Sequence, residues 1–159
     1  MIWKWHSGDI ARVLFYCENL RERMVTEMWV EYLNNPVGRR VGDCAVRAVS
    51  KALGMGWEAA YIALTINGLQ MGDMPSADSV WGALLRQHGF RRKNIPDECP
   101  ACYTVEDFCE DNPSGVFVIG TGGHVVTAVD GDYYDSWDSG KEAVQFVWYR
   151  EDEAAHSKD

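Results

Sequence analysis

No run of eighteen consecutive apolar residues occurs anywhere in the chain, so no segment is expected to cross a bilayer as a helix. A secretory leader is not expected either: the hydrophobic stretches between Met1 and Tyr16 are interrupted by Lys4, His6, Asp9 and Arg12, and no small-residue cleavage site follows. The five cysteines, Cys17, Cys44, Cys99, Cys102 and Cys109, are odd in number and show no even framework of spacings. That excludes a disulfide scaffold and favours free thiols in a reducing, cytoplasmic setting. Positive charge is scarce, with 15 Lys and Arg against 24 Asp and Glu for a net charge of -9. An acidic surface repels nucleic acid and anionic membranes, so neither is expected as a partner. The basic groups Arg39-Arg40 and Arg91-Arg92-Lys93 read as solvated loops.

What is present is enough for a folded core. A chain of 159 residues with 47% hydrophobic content, seven Trp and seven Tyr is the size of one domain. Residues from Asp9 to Leu33 carry apolar positions at Ile10, Val13, Leu14, Cys17, Leu20, Met24, Met28 and Val30, a helical repeat that Asn34-Asn35-Pro36-Val37-Gly38 breaks. Met24 and Met28 could each serve as an alternative start, so residues 1–27 read as a helical extension to a domain spanning 28–150. The charged tail, 151–159, is expected to be disordered.

Asp43 has the chemistry of a helix N-cap, and the apolar face from Cys44 to Leu53 ends at Gly54. Trp57 to Leu64 and a segment capped by Ser76 and closed by Gly89 read as two more core helices. Thr104 with Asp107 forms a capping-box pattern that opens a short helix ending before Asn112-Pro113. From there the pattern changes to strands: Val116–Ile119, His124–Val129, Asp132–Trp137 and Val144–Tyr149, with Asp130-Gly131 as a hairpin turn. The fold class is therefore α+β, a helical first part packed on an antiparallel sheet.

Three residue types in this arrangement carry chemistry. Cys44 in the first turn of a helix feels the partial positive charge of unpaired backbone amides, which favours thiolate. A two-residue turn at Asp130-Gly131 places Val126 opposite Asp135 and His124 opposite Trp137, making His124 and Asp135 diagonal neighbours. A three-residue turn would instead put Asp138 opposite His124, so Asp138 is the rival orienting group. Gly122 and Gly123, just before His124, would let a substrate backbone approach closely. Thiol, imidazole and carboxylate are the parts of a cysteine nucleophile system. Cys99-Pro100-Ala101-Cys102 has the spacing of half a zinc site, but no further ligand pair is near in sequence, and a loop with free thiols is the simpler reading. No metal and no cofactor are expected.

The segments Gly42-Asp43-Cys44-Ala45-Val46-Arg47-Ala48, Gly123-His124-Val125-Val126-Thr127-Ala128-Val129 and Tyr134-Asp135-Ser136-Trp137 resemble the three signature regions of papain-like cysteine peptidases. The resemblance covers Trp29 to Arg150. The chain also resembles short bacterial and phage proteins that share Asn-Pro, Gly-Asp-Cys, Gly-His and Tyr-Asp-Ser-Trp-Asp segments. The resemblance implies Cys44 as nucleophile, His124 as general base and acid, Asp135 in the place where the family often has Asn, and Trp137 as a shield for the Asp135 to His124 hydrogen bond. The family's oxyanion-hole Gln falls at Gly38 here, which turns the expectation for a side-chain donor to Asn35 or Asn34, beside the backbone amide of Cys44. The implied activity is hydrolysis of a peptide or isopeptide bond in a peptide or protein substrate. The alternative is a papain-like binding module without that activity, such as a phage or prophage factor that engages a host protein through aromatic anchors.

Overall fold

The structure is a computed structural model in which residues 28–96 and 102–150 are described. The expected N-terminal helical extension, the Cys99 side of the Cys-Pro-Ala-Cys motif and the acidic tail lie outside the described residues. Ten elements follow in chain order: β1 (Trp29–Glu31), α1 (Cys44–Leu53), α2 (Trp57–Met71), α3 (Asp78–Gln87), β2 (Arg91–Asn94), α4 (Val105–Asp111), β3 (Val116–Gly120), β4 (Val125–Val129), β5 (Asp132–Asp135) and β6 (Phe146–Tyr149).

The α+β class holds, with α1, α2 and α3 preceding most of the sheet, but the sheet is mixed rather than antiparallel. Its order is β1-β5-β4-β3-β6-β2, and β1 runs parallel to β5 while the other neighbours are antiparallel. Two strands were not anticipated. Trp29–Glu31 falls at the end of the helical repeat, yet it pairs with Tyr133–Asp135, because tertiary pairing outweighs a weak local periodicity. Arg91–Asn94, expected as a solvated loop, is the opposite edge strand, with every residue exposed; charged side chains suit a sheet edge that must not pair with another molecule.

The sheet is covered on both faces. α1, α2 and α3 pack on one side around Val49, Leu64, Trp81, Leu85, Val118, Val125 and Trp148. α4 closes the other side with Phe108, Ile119, Val126, Tyr133 and Val147. Strand alternation explains the division, since Phe146 and Trp148 belong to the first core and Val147 to the second.

Local chemistry explains most element ends. Gly54 and Gly72 stop α1 and α2 in left-handed conformations, with φ of 64° and 68°. α2 runs a further two turns past Leu64, because Asn67 and Gly68 are buried and the backbone of Asp73 packs where a Gly68 side chain would be. Ser76 does not cap α3; the N-cap position is Ala77, and the acidic Asp78 occupies the first turn. The Thr104 and Asp107 capping box is present as read, with Asp107 N–H donating to Thr104 Oγ1 at 3.2 Å. The β4–β5 hairpin also has the expected two-residue turn. Asp130 and Gly131 both have positive φ, 52° and 88°, and Val129 pairs with Asp132.

Among the described residues no helix is long and apolar enough to cross a membrane.

Candidate active site

α1 presents its first turn to the ends of β4 and β5, and the chemistry gathers there. Cys44 opens α1 and is half-buried. His124 immediately precedes β4, and Asp135 is the last residue of β5. His124 Nε2 stands 2.5 Å from Asp135 Oδ2. The remaining nitrogen, Nδ1, is the one left for Cys44, whose thiol is hydrogen-bonded to the His124 side chain. Continuing the Val129 to Asp132 register places Val126 opposite Asp135, so the diagonal relation of His124 and Asp135 follows directly from the tight turn.

Electrostatics favour charge separation between sulfur and ring. Burial opposes ionisation of Cys44, but the hydrogen bond and charge of His124, the Val125 backbone amide and the Arg47 guanidinium outweigh it, and the thiol titrates below its ordinary range. Burial likewise disfavours the imidazolium, yet Asp135 and Cys44 push the His124 pKa up to about 9. For Asp135 the burial penalty is overcome chiefly by the hydrogen bond and charge of His124, and its carboxyl titrates below the usual range. Between the lowered thiol and the raised imidazole lies a pH window in which thiolate and imidazolium coexist. By contrast, burial and the charges of Asp132 and Glu106 push the Cys109 thiol up to about 12, so that sulfur is a structural one.

Behind the three residues lies a buried ion network. Arg47, one turn after Cys44 on α1, is 5% exposed and donates from Nη2 to Asp135 Oδ1 at 3.1 Å. Its Nη1 pairs with Asp43, whose second oxygen accepts from Trp57 Nε1 at 2.9 Å. This corrects the role expected for Asp43. It occupies the N-cap position, but its side chain makes no capping bond, because the carboxylate is spent on Arg47 and Trp57. The first-turn amides of α1 are therefore left without that acceptor. The Asp135 carboxylate also accepts from the Ser136 amide at 2.7 Å, while its backbone carbonyl accepts from Tyr32 N at 2.8 Å and Trp29 Nε1 at 3.3 Å. β1 thus fixes the backbone of the residue that holds the imidazole.

Arg47 and β1 were missed from sequence. The available signal for Arg47 was its position: the one charge on the otherwise apolar Ala-Val face that α1 buries, which requires a partner. β1 gave no such signal.

The other anticipated positions separate into two groups. Trp137 is 43% exposed, with its ring centroid 5.2 Å from that of His124, so it covers the outer side of the imidazole. Gly122 and Gly123 are exposed in the loop between β3 and β4, and Gly123 has open space where a side chain would stand. Asp138 does not face His124. It accepts from Tyr133 Oη at 2.5 Å and from Gly140 N at 3.1 Å, as the two-residue turn requires. Asn34 does not reach the thiol either: its amide donates to Ser50 Oγ at 2.6 Å and Tyr32 Oη at 2.9 Å, and Ser50 lies nearly two helical turns along α1 from Cys44. Asn35 serves a local turn, its Oδ1 accepting from Val37 N at 3.1 Å and its carbonyl from Gly38 N at 2.9 Å. Among the described residues no His, Cys, Asp and Glu cluster of the kind that holds a metal ion is formed.

A thiol made acidic by an imidazole, an imidazole held by a buried carboxylate and a helix end with uncommitted amides can attack a carbonyl and stabilise the charge that develops on its oxygen. No family model, curated protein or solved structure matches the chain, so any functional reading rests on this geometry.

Proposed function

We propose that the protein is a cysteine-dependent hydrolase of the papain-like type, acting in the cytoplasm on a peptide or isopeptide bond. The observation that carries this reading is the shared His124, hydrogen-bonded to Cys44 on one side and held at 2.5 Å by Asp135 on the other. In the first step the Cys44 thiolate attacks the substrate carbonyl carbon, and the electron pair of the C=O moves onto oxygen. The backbone amide of Cys44 at the α1 N-terminus receives that oxyanion. Collapse of the tetrahedral species expels the amine, which takes its proton from the His124 imidazolium and leaves a thioester on Cys44. His124, now neutral, removes a proton from water as it attacks the thioester. Collapse of this second tetrahedral species breaks the C–S bond, expels the Cys44 thiolate to restore its pair with the His124 imidazolium, and releases the carboxylic acid. Asp135 stays ionised throughout, holding the imidazole and its charge, and Trp137 keeps bulk water from that hydrogen bond.

An electrophilic peptide probe tests this reading. Wild-type chain is expected to be modified rapidly at Cys44, with the rate reduced at least 100-fold in His124→Ala, in keeping with the worth of a general acid-base group. Labelling at Cys44 no faster than at exposed Cys102, or unaffected by His124→Ala, would remove the hydrolase reading. A second reading, a papain-like module that binds without turnover, is favoured by one observation: neither Asn34 nor Asn35 offers its amide to the thiol. It predicts tight peptide retention with no thioester.

A further inference from the structure

Strand register links the reactive end of β4 to a second feature on the same face of the sheet. Val125, whose amide contacts Cys44, pairs with Gly120, and Gly120 pairs with Phe146. With about 4.8 Å between neighbouring strands, the Phe146 backbone stands about 10 Å from that amide, the span of three extended residues. Gly120 has no side chain, and the Phe146 ring occupies the space a Cβ would need. Beyond it opens a cleft of about 190 Å³ whose walls include Ser79, Gly82, Arg86, Arg92, Phe146 and Trp148.

The cleft is basic in an acidic protein. The Arg92 guanidinium lies 4.0 Å from the Phe146 ring centroid, and that of Arg86 lies 5.4 Å from the Trp148 ring. Neither arginine has an ion-pair partner among the described residues. Stacking holds each planar fork against a ring and leaves its N–H edges for an acceptor. The Trp148 indole Nε1 is buried without a hydrogen-bond partner, an unmet donor in the same wall. Among the described residues the acidic member of the wall is Asp78, which already accepts from Trp81 Nε1 at 3.1 Å, and Ser79 donates to Asp73 at 2.6 Å. Two cations against one carboxylate leave a single positive charge. That matches a monoanionic carboxylate better than a phosphate dianion.

We propose that this cleft receives a substrate carboxylate two or three residues from the bond attacked by Cys44, so that the enzyme selects acidic peptides. The proposal rests on the hydrolase reading and adds the substrate class to it. The carboxylate is an acidic side chain or a free peptide C-terminus, and the two are separable by experiment. Peptides carrying a backbone fumaramide as electrophile would be reacted with the full chain, and modification at Cys44 followed by mass spectrometry. One arm places Glu, Gln or Lys two or three residues to either side of the electrophile; the other compares a free-acid with an amidated terminus at the same distance.

On at least one arm the carboxylate is expected to react at least tenfold faster than its neutral counterpart. That ratio should fall to near one in Arg92→Gln and in Arg86→Gln, and Arg92→Glu should prefer Lys over Glu. Both arginines are exposed, so neither exchange threatens folding. Equal rates for acidic and neutral peptides on both arms, preserved ratios in both glutamine variants, or no peptide modification while a small alkylating agent still reacts in a His124-dependent way, would overturn the proposal and leave the hydrolase reading standing. Loss of His124 dependence for the small agent would instead remove the hydrolase reading itself.

Discussion

The Asp43, Arg47 and Asp135 side chains, with 6%, 6% and 1% exposure, bind the nucleophile helix to β5 through ionic contacts shielded from water. Replacing Arg47 by Met would leave two buried carboxylates without their cation, and breaking a buried pair in this way costs about 3–5 kcal/mol. Urea denaturation of Arg47→Met should show a loss of that order; a change under 1 kcal/mol would mean the network is not buried as described. Asp135→Asn removes the charge that raises His124. The alkaline limb of the pH–rate profile, set near 9 by the imidazolium, should then move to lower pH, and a limb that stays in place would separate Asp135 from the imidazole. The same shift has a stability sign. A His whose pKa rises from 6.5 to about 9 on folding stabilises the native state fully below pH 6.5, and the contribution is lost as pH rises through about 9. The lowered Asp135 pKa contributes above the ordinary value of 3.8 and is lost in acid. The difference in Tm between wild type and His124→Ala should therefore be largest between about pH 4 and 6.5 and should shrink towards pH 9.

At the level of elements, the site depends on where a few turns and strands end. Gly120→Ala would push a methyl group into the buried Phe146 ring that stacks on Trp81, and overpacking of this kind costs about 1–3 kcal/mol. Chemical denaturation checks that, with an unchanged midpoint as the contrary result. Much of this level could be read from the sequence because its signals are local. Asp130-Gly131 set the hairpin register and with it the choice of Asp135 over Asp138. Gly54 fixed the end of α1, and Thr104 with Asp107 fixed the start of α4. What escaped had causes distant in sequence. Trp29–Glu31 is a strand only because Tyr133–Asp135, more than a hundred residues later, offers a free edge. Asp43 gave up its cap because Arg47 and Trp57 compete for the same carboxylate. Asn34 was drawn to Ser50, which Tyr32, the residue after β1, also approaches. None of these partners can be inferred from spacing alone.

The molecule as a whole is a sheet with a core on each face, and the reactive groups collect at one end of it, where α1 begins and β5 stops. This layout makes two buried or half-buried thiols very different. Cys44 faces an imidazole, whereas Cys109 sits on the buried side of α4, near the acidic Glu106 and Asp132. The net charge of -9 is similarly uneven, since Arg86, Arg91, Arg92 and Lys93 gather at the β2 edge. Such a local field can draw an acidic ligand to a protein that repels it elsewhere, and the attraction should weaken with added salt. Modification rates of acidic peptide probes are accordingly expected to fall between 0.05 and 0.5 M salt, on the order of several-fold, while neutral probes change little. The claim beneath all of this is that Cys44 and His124 form one ionic unit. The most direct measurement is the rate of iodoacetamide alkylation at Cys44 as a function of pH, in wild type and His124→Ala. The account predicts a wild-type thiolate that persists well below the ordinary thiol range, a midpoint that rises in His124→Ala, and a Cys109 that stays unmodified throughout. Superimposable profiles for the two chains would contradict it.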